Sequence, residues 1–189
     1  MLGLLDTRPA LDRPDLLAPA VLGALRSGGV PAAGDLHVAE IDPALADTAA
    51  FCARYEVGLE VSANCVVVAG RRGQDTRLAA CVVLATTRAD VNGTVRRRLD
   101  ARKASFAPTE LAVAETGMEY GGITPFGLPT GWPLLVDRAV VDTPYVVVGS
   151  GLRRSKLVTP GRALADLPGA EVVDGLASPA GGGSGDLRP

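Results

Sequence analysis

A single histidine, His37, stands in a chain of 189 residues. It has no metal-ligand companions and no partner for a triad, so neither a conventional nucleophile–histidine triad nor a histidine-based zinc site is expected. The three cysteines, Cys52, Cys65 and Cys81, sit in apolar runs without C-x-x-C spacing. That arrangement reads as reduced, buried thiols of a cytoplasmic protein. Aromatic residues make up only 4% of the chain, so a core must be assembled from Val, Leu and Ala. No apolar run approaches the ~20 residues that cross a bilayer, and the start Met1-Leu2-Gly3-Leu4-Leu5-Asp6 lacks the basic and apolar regions of a signal peptide. The phosphate-binding P-loop, the dinucleotide glycine fingerprint and the nucleophile elbow are all missing. Gly149-Ser150-Gly151 is too short for that elbow, and Ser150 reads as a turn residue. A net charge of −2 argues against a surface dominated by nucleic-acid binding, though it allows a local basic patch.

What the chain does contain is 47% hydrophobic residues, enough for one sizeable core. Residues 1–33 read as an arm with a helix from Asp15 to Arg26, residues 34–177 as the globular domain, and the Gly-rich residues 178–189 as a flexible tail. Asp42-Pro43 forms an N-cap and first-turn proline for a helix reaching Tyr55. Two apolar runs, 64–69 and 78–85, read as paired strands turned by 71–75. Asp90 caps a helix with a buried stripe of Val91, Val95 and Leu99. Pro108 and Gly117 bracket another helix over 109–116. Strands follow at 134–137 and 145–149, a short helix at 161–167 and a strand at 171–173. The fold class predicted is α/β of the mixed α+β kind, a central mixed β-sheet surrounded by helices. All four longer strands should share that sheet, covered by the helices at 43–55 and 109–116, because apolar strands without alternation need cover on both faces.

The segment 117–129, Gly-Met-Glu-Tyr-Gly-Gly-Ile-Thr-Pro-Phe-Gly-Leu-Pro, is the most distinctive loop. Gly121 and Pro125 frame a G-x-x-x-P element in which glycine admits close approach and proline stiffens the exit. Such a loop can offer backbone groups to a small ligand. A bulky residue at Gly121 is therefore expected to block the ligand with little loss of stability.

The order Lys103-Ala104-Ser105-Phe106-Ala107-Pro108, helix, the Gly117–Gly127 loop, Pro133-Leu134-Leu135-Val136-Asp137, strand and Gly149-Ser150-Gly151 resembles the YbaK/ProX family. These are free-standing relatives of the editing domain of bacterial prolyl-tRNA synthetases, and the likeness spans roughly residues 35–175. The resemblance implies hydrolysis, in trans, of the ester of a mischarged aminoacyl-tRNA, without a cofactor or a metal. It implies partners too: the tRNA acceptor end and, through it, an aminoacyl-tRNA synthetase, with no membrane involved. Gly121 would then hold the ester, with Gly122, Ile123, Thr124, Pro125, Gly149 and Gly151 as the substrate-binding set. The family lysine of the first central strand is replaced by Asn64, which donates hydrogen bonds but carries no charge. Lys156, in the loop after Gly151, offers two readings: a cation relocated to the pocket, pointing between Asn64 and the Gly121–Pro125 loop, or a surface lysine after the basic turn Arg153-Arg154. With the second, the protein would be a weakened or inactive relative that binds an aminoacyl-adenosine, an amino-acid-like ligand or a synthetase. Arg97, Arg98, Arg102 and Lys103 form a positive cluster suited to tRNA phosphates, although successive helical arginines fan out and cannot all face one ligand.

Overall fold

The computed structural model describes residues 3–31 and 33–179; most of the predicted tail, 180–189, lies outside them. Its strands are β1 (Thr7–Pro9), β2 (His37–Glu40), β3 (Ala63–Arg72), β4 (Asp75–Leu84), β5 (Thr87–Ala89), β6 (Lys103–Phe106), β7 (Leu134–Asp137), β8 (Val146–Gly149), β9 (Ser155–Thr159), β10 (Ala170–Val173) and β11 (Ala177–Pro179). The α-helical segments are α1 (Pro19–Arg26), α2 (Thr48–Tyr55), α3 (Arg96–Arg98), α4 (Thr109–Thr116) and α5 (Arg138–Asp142). Among these described elements no helix is long and apolar enough to cross a membrane.

A five-stranded mixed sheet in the order β10-β7-β4-β3-β6 carries the long β3–β4 hairpin. β7 runs parallel to β4 and β10, while β3 is antiparallel to β4 and β6. From Leu78 to Leu84 β4 is apolar because both faces are covered. Ala80 and Val82 join a core with Val21 and Leu25 of α1, whereas Ala79, Cys81 and Val83 join another with Val91, Val95 and Leu99. The covers are thus α1 and the turn leading into α3, not α2 and α4 as the sequence suggested. α2 packs Phe51 and Cys52 on the second sheet, against Val147 and Val158.

That second sheet, β1-β2-β9-β8, is the main departure from expectation. The strand predicted at 145–149 does not join β3 and β4. It pairs instead with β9, with Val146 opposite Thr159 and Gly149 opposite Lys156. The nearby hairpin partner wins over the distant strand, and β8 pairs with the chain just before β3 through a Ser62–Val147 bridge. The arm is equally integrated. β1 completes the second sheet, and Leu16, Val21 and Leu25 are buried in the main core. Ser155 Oγ donates to Leu16 O (2.7 Å) and lies 2.7 Å from Ser150 Oγ, so Ser150 is a buried turn anchor. At the other end, Ser178 and Pro179 pair with Arg88 and Thr87.

Asp90 caps a π-turn, Val91–Val95, accepting from Gly93 N (2.9 Å) and Thr94 N (2.7 Å). These bonds stabilise its charged form, so its carboxyl pKa lies below the ordinary value. Asp90→Ala is expected to cost about 1 kcal/mol, read as a lower denaturation midpoint with an unchanged m-value.

Candidate functional site

The helix predicted from Pro43 to Tyr55 is broken. A 3-10 turn, Pro43–Leu45, is capped by Asp42, and α2 starts afresh with Asp47 as its cap, accepting from Ala49 N (3.1 Å). Two caps five residues apart compete for one chain, and the break leaves Ala46 between them. Its carbonyl, which a continuous helix would occupy, instead accepts from Lys156 Nζ at 3.1 Å.

Lys156 reaches this carbonyl from β9. It is 8% exposed and lies 5.4 Å from the Phe51 ring centroid, with Nζ also 3.4 Å from Gly121 O. The reading of Lys156 as a surface lysine in a loop is therefore corrected: it sits on a strand, and strand alternation points it inward. Burial is the main force pushing its pKa down; the Arg153 charge acts the same way and Asp47 opposes. Cys52 could oppose only as a thiolate, and burial raises its own pKa, so near neutral pH it is an uncharged thiol.

Lys156 forms one wall of a cavity of about 550 Å³. The cavity opens where β3 loses its neighbours. β6 pairs with β3 from Val68 to Arg71, and β8 pairs at Val61 and Ser62, so the stretch from Ala63 to Val67 lines the space between. Asn64 lies here, its Oδ1 accepting from Thr48 Oγ1 at 2.8 Å, which leaves the amide nitrogen as the group it can offer. Phe106, Ala107, Thr109 and Ala112 line the cavity from the β6–α4 junction.

The glycine–proline loop closes another side. Gly151 N donates to Gly122 O (2.7 Å) and Glu119 N to Gly151 O (2.9 Å), which fastens the loop to the β8–β9 turn. Glu119 Oε2 accepts from Arg153 N (2.6 Å), and the Arg153 guanidinium donates to Tyr120 O (2.9 Å) and Pro43 O (3.1 Å). Gly121 has φ +81°, a backbone region costly for any residue with a Cβ, and an added Cβ would lie 2.8 Å from Arg153 Nη1. A substitution there should therefore cost about 1–2 kcal/mol of stability, contrary to the expectation of little loss.

Of the residues singled out from sequence, Asn64, Gly121, Ile123, Gly149 and Lys156 meet at the cavity. Gly122, Thr124, Pro125 and Gly151 do not line it. Gly122 is buried against the Leu152 backbone and its N–H donates to Glu119 O, while an added Cβ on Gly151 would strike Ala18. Thr124 is fully buried, with no hydrogen-bond partner for its hydroxyl. Sequence reading missed Asp47, Thr48, Tyr120 and Arg153, all of which line the cavity. Arg153 was hidden in an Arg-Arg pair; the glycine loop beside it gave no signal of a clamp.

The basic cluster is divided. Arg98 is ion-paired with Glu171, and Arg97 donates to Thr94 Oγ1 at 3.1 Å. Arg102 and Lys103 are exposed, at the start of the strand that ends at the cavity. No group of three metal-ligating side chains converges among the described residues.

Comparison with known proteins adds a family. A model of the aminoacyl-tRNA editing domain matches residues 42–167. No curated protein matches the sequence. Among solved structures, a candidate trans-editing enzyme for prolyl-tRNA synthetase superposes with a TM-score of 0.69 at 25% identity, covering 83% of this chain and 94% of its own. A scaffold protein used for epitope backbone grafting gives 0.68 at 25% identity, covering 86% of this chain and 97% of its own. A hypothetical protein gives 0.72 at 21% identity, covering 84% and 99%, a likeness of fold alone.

Proposed function

Since the chain belongs to the aminoacyl-tRNA editing domain family, we propose that it hydrolyses the ester of a mischarged aminoacyl-tRNA in trans, with Lys156 as the cation of the site. The observation that carries this reading is the buried Lys156 ammonium, which among the described residues donates to the carbonyls of Ala46 and Gly121 beside Asn64. Asn64 removes a charge from one wall and Lys156 supplies one from another.

The chemistry makes small demands on the protein. Water adds to the ester carbonyl carbon, the bond to the ribose oxygen breaks, and that oxygen takes the proton the water gives up. Amino acid and tRNA leave separately. An ammonium has three N–H donors; two are engaged by carbonyls, and the third is free for the oxygen on which negative charge grows. The Asn64 amide is a second donor. Asp47, at the cavity wall, suits the α-ammonium of the aminoacyl group. A separate hydrolytic site is useful because direct binding separates side chains differing by one methylene by only about 10–200-fold. A cytoplasmic setting, where charged tRNAs are found, fits this role.

Purified protein should be incubated with a panel of correctly and incorrectly charged tRNAs while the remaining ester is followed over time. Release from at least one mischarged tRNA, with correctly charged ones spared, is expected. If every ester survives at the uncatalysed rate, the hydrolase reading fails.

A further inference from the structure

The cavity accounts for the aminoacyl group but not for two neighbouring features of β6. Phe106 is 50% exposed in a chain poor in aromatics, and it lies on the cavity rim at the end of an edge strand. Arg102 and Lys103 stand at the other end of that strand, and neither has a carboxylate within ion-pairing distance among the described residues. Lys103 even lies directly opposite Arg71 on β3, an arrangement of like charges that works against the sheet. Charge at a sheet edge can simply repel other strands. An exposed phenylalanine on the same edge does the reverse, so edge protection does not explain the set.

We propose that β6 is a track for the single-stranded 3′ end of the tRNA, with the terminal base stacked on Phe106 and the preceding phosphates held by Arg102 and Lys103. This rests on the aminoacyl-tRNA reading above and adds where the nucleic acid lies. The order along the strand fits. An ester seated in the cavity places its own nucleoside at the rim, where Phe106 offers a flat apolar face that every base can use. Lys103 and Arg102 follow three and four residues away, about 10–13 Å along an extended strand, within the length of a short run of single-stranded RNA. Arg98, engaged with Glu171, is not part of the track.

The test uses an uncharged RNA hairpin bearing a tRNA-like single-stranded 3′ end, so it needs no hydrolysis. Its affinity for the full chain is measured across a salt series. Phe106→Ala is expected to weaken binding roughly 5- to 100-fold with the salt dependence unchanged, and Phe106→Trp should retain affinity. Replacing Arg102 and Lys103 by Gln should lower the slope of log affinity against log salt by about 0.7 for each phosphate no longer neutralised. A hairpin without the overhang should be indifferent to Phe106→Ala. Normal binding by Phe106→Ala, a loss at Tyr120→Ala in its place, or an unchanged salt slope in the Gln variants would each overturn the track. Tight, Phe106-dependent binding with no deacylation would instead sink the hydrolase reading and leave the track standing.

Discussion

Replacing Lys156 with Met is expected to lower deacylation roughly 100- to 1,000-fold while making the protein no less stable. Methionine keeps the length of the side chain and removes an ammonium that burial disfavours. Activity and stability should respond to pH in opposite senses. The folded pKa of Lys156 lies below the ordinary 10.5, so between the two values the unfolded chain holds more protons than the folded one. The stability of the wild type relative to Lys156→Met should therefore rise with pH across that window. In the proposed mechanism the ammonium is the active form, so the rate ratio of wild type to variant should fall over the same range, earlier than a surface lysine would allow. Chemical denaturation and single-turnover deacylation, both run as pH series, measure the two trends. Adding Asn64→Lys to Lys156→Met should recover part of the activity. An unchanged rate in Lys156→Met would remove the residue from the mechanism.

The second large effect is expected at Gly149, where the purpose of a small residue is structural. An added Cβ would lie 2.2 Å from Gly122 O and 2.5 Å from Ile123 O, both main-chain atoms that no rotamer change can move. Gly149→Ala should cost about 3 kcal/mol or more, because either β8 or the glycine–proline loop has to shift. The loop carries the Gly121 carbonyl that Lys156 holds, so whatever fraction still folds should also hydrolyse poorly. Thermal unfolding together with activity per folded molecule tests this. A variant that melts like the wild type would show that the loop does not pack tightly on β8.

The long elements could be read from the chain because their signals are local. The apolar hairpin of β3 and β4, the Asp90 cap and the Pro108-to-Gly117 helix all depend on residues near in sequence. The fate of 145–149 was not local: its all-apolar composition shows that the strand is buried, but not against which partner. β9 escaped notice because Ser155 and Lys156 follow two arginines and look like the end of a surface turn. The same camouflage concealed the inward path of Lys156. At Asp42 and Asp47 the sequence holds two good caps in succession, and only tertiary contacts decide that both are used. In the glycine loop, composition marked an unusual conformation but not its division of labour: Gly121 faces the cavity, whereas Gly122 and Gly151 let main chains and the arm pack closely.

The integration of the N-terminal arm bears on how the protein can be cut. A fragment starting at Asp42 would keep every cavity residue yet lose β1, β2 and α1. β9 would then become a bare edge, since β2 is its neighbour on the side away from β8. The core cluster that holds Val136 and Val148 would lose Val21 and Leu25 of α1. The family match at 42–167 is thus narrower than the packed core, and limited proteolysis should find no stable core that begins after the arm.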